Sequence, residues 1–299
     1  MRLTFVNVGY GEAMVLECPD PARRNGQFVM VIDGGGNESA EFADRSGGRV
    51  PMAEYLTARG LDHIDVMVST HIHEDHICGL LPLLERWTPR ELWQTLPADF
   101  YRRTRPLGVP EGVTPSQSKF LRALNDYGTL CRLVEDRGGV IRTITAPLEE
   151  TLCRDLSVRV LAPSLPREEE LQELLEGVYA AEGEAFWPLL NQLDGKMNNF
   201  SLILRLDYRG TRLLLPGDTN CLGYGDIPAE ALQADLFKVG HHGQRDGVSA
   251  QQLRAIAPRA VVCCASSDRR YNSADPGVLT MAAEGGARLY FSDCPPVPG

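Results

Sequence analysis

The chain has 299 residues, 43% of them hydrophobic and 23% charged, and a formal net charge of −10. That length buries a core without disulfide staples, and the acidic balance counts against a long polyanionic substrate, whose binders carry a basic stripe. No apolar run reaches the roughly 18 residues of a membrane span.

The opening Met1-Arg2-Leu3-Thr4-Phe5-Val6-Asn7-Val8 is too short and too strand-like for a signal peptide, so the expectation is a cytoplasmic protein without a membrane partner. Cys18, Cys78, Cys131, Cys153, Cys221, Cys263, Cys264 and Cys294 form no CxxC pair and no regular framework. They read as free thiols, several of them buried, with no disulfide-linked partner.

In chain order, three strands are expected at 3–8, 13–18 and 28–32, each a β-rich run closed by Gly, Pro or Asp. Asp33-Gly34-Gly35-Gly36 stops the third. Residues 51–59 read as a helix, 64–69 as a buried strand delivering a histidine-rich loop, and 77–87 as the helix after it. A strand at 91–95, a loop rich in Arg and Pro, a helix at 116–137 and strands at 140–145 and 158–162 follow. Residues 167–195 start as an acidic helix and end in a polar turn, which suggests an inserted lid. Strands at 200–208 and 212–215 form a hairpin across Arg209-Gly210-Thr211. Buried strands at 236–239 and 260–264, helices near 250–256 and 277–284, and a last strand at 288–291 complete the pattern. The order suits an α/β domain over residues 1–299, two sheets packed together with helices outside, with helical insertions near 100–140 and 165–197.

Three of the six histidines lie within Thr70-His71-Ile72-His73-Glu74-Asp75-His76. His71 and His73 are two residues apart, so extended backbone points them the same way. Asp75 and His76 follow in a turn that can aim them at a neighbouring point. Imidazole with carboxylate suits zinc, manganese or iron. Leu213-Leu214-Leu215-Pro216-Gly217-Asp218-Thr219 is a buried strand ending in a carboxylate, and a carboxylate can bridge two cations. Leu236-Phe237-Lys238-Val239-Gly240-His241-His242-Gly243 is a second strand running straight into histidine. His63, in Leu61-Asp62-His63-Ile64, reads as structural.

His71-Ile72-His73-Glu74-Asp75-His76 resembles the HxHxDH signature of the metallo-β-lactamase superfamily. The Asp33 turn, Gly217-Asp218 and His241 fall in the order of its other motifs. The closer resemblance is to the metallo-hydrolase domain of the ComEC/Rec2 DNA-uptake proteins and their free-standing relatives. It rests on Val8-Gly9-Tyr10-Gly11-Glu12-Ala13, Asn198-Asn199-Phe200-Ser201-Leu202-Ile203-Leu204, Pro216-Gly217-Asp218-Thr219 and Lys238-Val239-Gly240-His241-His242-Gly243. Residues 88–190 show no such likeness, and nothing here matches that family's membrane channel, so DNA import is not implied.

The resemblance implies an αββα sandwich holding two divalent metal ions, zinc or manganese. Site one would use His71 and His73; site two would use Asp75, His76 and one of the adjacent pair, His241 in preference to His242. Asp218 would bridge them, and Asp33 would orient a ligand histidine. The superfamily's additional site-one histidine is missing, since no histidine lies between residues 77 and 240. Asn198 and Ser201 stand near its place, which should weaken site one and favour manganese. Tyr271-Asn272-Ser273-Ala274-Asp275-Pro276 stands where relatives often carry a histidine before proline.

Two cations about 3.5–4 Å apart would activate a bridging water and clamp the attacking and leaving oxygens. Asp75 would hold or deprotonate that water. His242 would donate a proton to the leaving group or contact the substrate. Lys238, one strand turn before the site, reads first as a solvated lysine and second as a group that neutralises an anion. The leading expectation is a phosphodiesterase acting on a small anionic or nucleotide substrate, or a short single strand. The alternatives are a lactonase-like acyl hydrolase on the same centre and a non-catalytic metal-bound sensor or binding module.

Overall fold

In the computed structural model, which describes residues 1–225 and 227–297, the strands form two sheets. Sheet one contains β1 (Arg2–Phe5), β2 (Ala13–Pro19), β3 (Gln27–Gly34), β4 (Val66–Val68), β5 (Glu91–Gln94) and β6 (Val140–Thr143), side by side in chain order. Sheet two contains β7 (Leu148–Cys153), β8 (Leu156–Ala162), β9 (Ile203–Tyr208), β10 (Thr211–Leu215), β11 (Leu236–Lys238), β12 (Ala260–Cys263) and β13 (Arg288–Phe291), again sequential. Each sheet begins antiparallel and turns parallel, at β3 in the first and at β10 in the second.

Parallel neighbours need a crossover, usually a helix, and the chain supplies one each time. Helices α1 (Met52–Ala58), α2 (Glu74–Ile77) and α3 (Pro115–Asp136) make the crossovers of sheet one. Two further helices, α4 (Leu165–Ala180) and α5 (Phe186–Met197), lie between β8 and β9, which are antiparallel and could be joined by a short turn. Instead the chain leaves sheet two, packs Leu171, Leu175, Leu190 and Leu193 into the helical layer over sheet one, and returns. Helices α6 (Ala229–Leu232), α7 (Ala250–Ile256) and α8 (Pro276–Glu284) make the crossovers of sheet two.

Strand alternation places the core. Met14, Leu16, Phe28, Met30 and Ile32 of sheet one face Leu204, Leu206, Leu213 and Leu215 of sheet two, while Val15, Val29 and Val31 point outward under the helices. Both faces of these strands are buried, as sheets covered on two sides require. The result is the expected αββα sandwich of two mixed sheets.

Three local expectations change. Residues 77–87 are helical in the α sense only as far as Ile77 and continue as a 3₁₀ helix over Cys78–Glu85. Pro82 supplies no amide to an α ladder there. The polar end foreseen near 195 is instead the body of α5, and β7 was not foreseen at all. All eight cysteines are free; six are buried, Cys221 is half-buried and Cys294 is exposed. Among the described residues no helix is long and apolar enough to cross a membrane.

The 3₁₀ segment lies against the end of β3. A Cβ at Gly79 would drive into the backbone of Gly34, and a Cβ at Gly34 into that of Gly79. Gly79→Ala should therefore cost about 1–3 kcal/mol, the usual scale of overpacking. It should appear as a lowered denaturant midpoint at unchanged slope; a wild-type midpoint would refute the close crossing.

Candidate metal centre

Four strands deliver the polar groups from their C-terminal ends. Asp33 closes β3, the loop after β4 carries His71 to His76, β10 leads into Asp218, and β11 into His241-His242. The turns are tight: Asp33, His241 and His242 have φ of 55°, 48° and 49°, left-handed values few non-glycine residues adopt. Such backbone is held only where the surroundings over-determine it.

Asp75, His76, Asp218 and His242 are all buried, and each offers a ligand atom within 4.8 Å of the others'. Neighbours fix both imidazoles. His76 Nδ1 donates to Asp33 Oδ2 at 2.8 Å, and His242 Nδ1 donates to the Cys264 carbonyl at 2.9 Å. Each Nε2 is thereby turned toward carboxylates. His242 Nε2 lies 2.8 Å from Asp218 Oδ2 and 2.9 Å from Asp75 Oδ2. His76 Nε2 lies 3.1 Å from Asp218 Oδ2 yet has no hydrogen-bond partner.

The electrostatics agree. Burial disfavours a charged His242, but Asp218 and Asp75 more than reverse this and push it up to about 10. His76 moves well above the usual histidine range in the same way, burial being outweighed by Asp218, Asp75 and Asp33. Burial works against the Asp75 and Asp218 charges, but the imidazoles hold both carboxyls below their usual range. A field that strongly negative, with an orphaned buried nitrogen inside it, fits a divalent cation held by two imidazoles and two carboxylates.

A second nest adjoins it. The Thr70 hydroxyl donates to Asp33 Oδ2 at 2.6 Å, so its oxygen is left to accept from His71 Nδ1 at 3.1 Å. His73 Nε2 meets Asp194 Oδ1 at 3.2 Å, and a carboxylate can only accept. These bonds fix both tautomers. They leave His71 Nε2 and His73 Nδ1 presenting lone pairs to each other at 3.0 Å. Burial and the neighbouring His76 and His73 keep His71 well below its usual range, and so neutral. Two neutral acceptors facing each other at that distance fit a shared cation.

The adjacent histidines stand in the reverse of the expected order, His242 within the cluster and His241 outside it. His241, expected as the site-two ligand, donates through Nδ1 to Asp246 at 2.8 Å and accepts through Nε2 from Asn198 Nδ2 at 3.0 Å. Both its nitrogens are engaged, and it stands on the cleft wall. His242, expected as an acid or substrate contact, is the ring inside the cluster. The left-handed turn at both residues sends their side chains apart, which spacing along a strand does not reveal.

Lys238, expected to be solvated or to neutralise an anion, is fully buried. Its Nζ donates to the Gly217 carbonyl at 2.8 Å and to Asp218 Oδ1 at 3.3 Å, and it forms an ion pair with the buried carboxylate of Glu12. It thus holds the Asp218 oxygen that does not face His76 and His242. Glu12 and Asp218 keep it charged against the opposing effect of burial.

Asn198 lines the cleft, with its Oδ1 buried and unpartnered, while Ser201 is fully buried with an unpartnered hydroxyl. Asp194, one turn before Asn198 on α5, was missed. No local signal marks it, because only the detour of α4 and α5 brings it to His73.

These groups open into a cleft of about 250 Å³ whose wall also includes Tyr10, Lys119 and Tyr271. A family model described as the metallo-β-lactamase superfamily matches residues 13–141, which carry Asp33 and the whole 71–76 motif. Over that segment the chain is similar to the metallo-β-lactamase superfamily. The rest of the cluster, Asp218 and His242, lies beyond the matched segment and is placed by the fold.

ComE operon protein 3 of Bacillus subtilis (strain 168) is 23% identical over 303 residues, spanning 98% of this chain and 32% of that protein. The chain therefore spans about a third of the length of that relative. Among solved structures it is similar to Zn²⁺-bound PqqB from Methylobacterium extorquens, at 13% identity, TM-score 0.45, and coverage of 94% of this chain and 85% of that one. It is also similar to the short form of human tRNase Z, at 16% identity, TM-score 0.40, and coverage of 88% and 91%.

Proposed function

We propose that the protein is a phosphodiesterase that uses two divalent cations, zinc or manganese, on a small nucleotide or a short single strand. His71 Nε2 and His73 Nδ1 would hold one cation and Asp75, His76 and His242 the other, with Asp218 between them. Bound divalent cations supply Lewis acidity to ester oxygens and make water a nucleophile near neutral pH.

The observation that carries this reading is the pair of adjoining nests, one of facing imidazole lone pairs and one with an orphaned His76 Nε2 among carboxylates. Paired cations suit in-line displacement at phosphorus, where both the attacking and leaving oxygens need charge stabilisation. The likeness to the ComEC/Rec2 domain and the cationic Lys119 on the cleft wall point the same way.

The protein's own groups have separable tasks. Asp75, fixed by His242, would take up a proton from the attacking water. His241, backed by Asp246, would hold or pass a proton at Nε2 on the opposite wall. Asp33, Thr70 and Asp194 would keep the imidazoles in the required tautomers, and Lys238 would keep Asp218 in place.

Protein purified without chelator should contain one to two transition-metal equivalents per chain and, loaded with manganese or zinc, should hydrolyse bis-p-nitrophenyl phosphate or a cyclic dinucleotide in preference to a lactone. His71→Ala with His73→Ala should lower both metal content and turnover. Lactone turnover without phosphodiester turnover would transfer the centre to acyl chemistry. Unchanged metal in the double variant would refute the first nest.

A further inference from the structure

Next to the centre stands an exposed aromatic ring that the ligand geometry does not use. Tyr271 is 51% exposed, and it borders the cleft. It lies outside the segment matched by the superfamily model.

Its loop is costly to hold. Arg269, Tyr271, Asn272 and Ala274 have φ of 48°, 56°, 60° and 49°, and bulky residues rarely adopt such values. Strain of this kind clusters at ligand clamps, where the surrounding structure enforces it.

Here the enforcement comes from the metal centre itself. Ala274 N donates to the His242 carbonyl at 3.0 Å, and Asp275 N to the Gly243 carbonyl at 2.8 Å. The loop is bolted to the turn that carries His242, so the Tyr271 ring has a fixed place relative to the ligands.

Tyr10 fills the space between them. Its ring centroid is 5.5 Å from that of His242 and 5.4 Å from that of Tyr271. Lys119 Nζ sits 5.3 Å from the Tyr10 ring and the Arg270 guanidinium 5.0 Å from it, both in cation–π range. Glu74 anchors Lys119 at 2.5 Å, and Glu41 and Asp268 anchor Arg270. Tyr10 is thereby pinned, and Tyr271 leans on it with half its surface open.

Two ring-to-ring steps thus separate the ligand His242 from an open aromatic shelf, along a wall that carries fixed cations. The separation suits a nucleotidyl group, with its phosphoester at the centre and its flat base one sugar away on the shelf.

We infer that Tyr271, backed by Tyr10, is a base-stacking subsite that makes the substrate a nucleotidyl ester. This rests on the phosphodiesterase reading and specifies its substrate. Aromatic stacking accepts any base, so the subsite selects for the presence of a base and not for its identity.

The test compares Tyr271→Asn, which removes the ring but tolerates the left-handed backbone, with Tyr271→Phe, which keeps the ring. Manganese-loaded proteins would be assayed on thymidine 5′-(p-nitrophenyl phosphate) and on methyl p-nitrophenyl phosphate. The preference for the thymidine ester, as a ratio of kcat/KM values, should fall about ten-fold in Tyr271→Asn and stay within about two-fold in Tyr271→Phe. An unchanged ratio in Tyr271→Asn would overturn the subsite.

Should the wild type hydrolyse neither ester, the phosphodiesterase reading fails while the subsite remains decidable by calorimetric titration with thymidine 5′-monophosphate. Binding about ten-fold weaker in Tyr271→Asn supports it, and equal binding overturns it. Unfolding curves of both variants show whether the loop itself has survived.

Discussion

His242→Ala is expected to lose the metal of the buried four-residue cluster together with activity, whereas His241→Ala keeps its metal and loses rate alone. His242 Nε2 lies within 2.9 Å of both Asp75 and Asp218, and its Nδ1 is committed to a backbone carbonyl. Removing the ring deletes a donor from the middle of the cluster. Loss of a mere outer partner already costs 10–100-fold in metal affinity as an order of magnitude, so loss of a ligand should exceed that. His241 touches Asp246 and Asn198 instead, and its removal should cost about 10²–10⁴-fold in turnover if it handles a proton. Elemental analysis beside steady-state rates separates the two. Metal lost from His241→Ala and retained by His242→Ala would overturn the placement of both rings.

The largest effect on stability is expected at Lys238. With Lys238→Met, the carboxylate of Glu12, fully buried, and that of Asp218 lose their shared cation. Breaking one side of a buried ion pair costs about 3–5 kcal/mol, because the remaining charge has neither water nor partner. The unfolding midpoint should fall accordingly in chelator-treated protein, where no metal offsets the change. Adding Glu12→Gln should restore part of the loss, since both members of the pair are then neutral. A loss below about 1 kcal/mol, the worth of an exposed pair, would mean that Lys238 reaches solvent.

Much of this was legible in the residues, and the gaps have physical causes. His71, His73, Asp75 and His76 announced themselves because a short motif on one loop is local: strand, turn and polar side chains are contiguous in sequence. Asp33 and Asp218 were legible for the same reason, each closing an apolar strand. Lys238 was singled out but given the wrong surroundings, because burial depends on Glu12, more than two hundred positions away in the chain.

Other features had weaker signals or none. The order of His241 and His242 turned on two left-handed φ values, which a pattern of residue types does not encode. Asp194 carries no motif and reaches His73 only through the excursion of α4 and α5. In β7, two glutamates on an edge strand masked the β-pattern; Arg142 and Arg159 pair with its side chains. The helix after the 71–76 loop was misjudged because its apolar spacing outvoted Pro82.

The two sheets share an apolar interface but meet their polar work only at its rim. Asp75 and His76 come from one layer, Asp218 and His242 from the other. A cation gripped by all four would act as a clasp on two covers, and each cover alone carries half a clasp. Chelate strength is then a gauge of how the layers lie on each other, and anything that respaces them alters the grip without touching a ligand. By the same linkage, an ion that binds only the closed arrangement tightens the whole body of the protein.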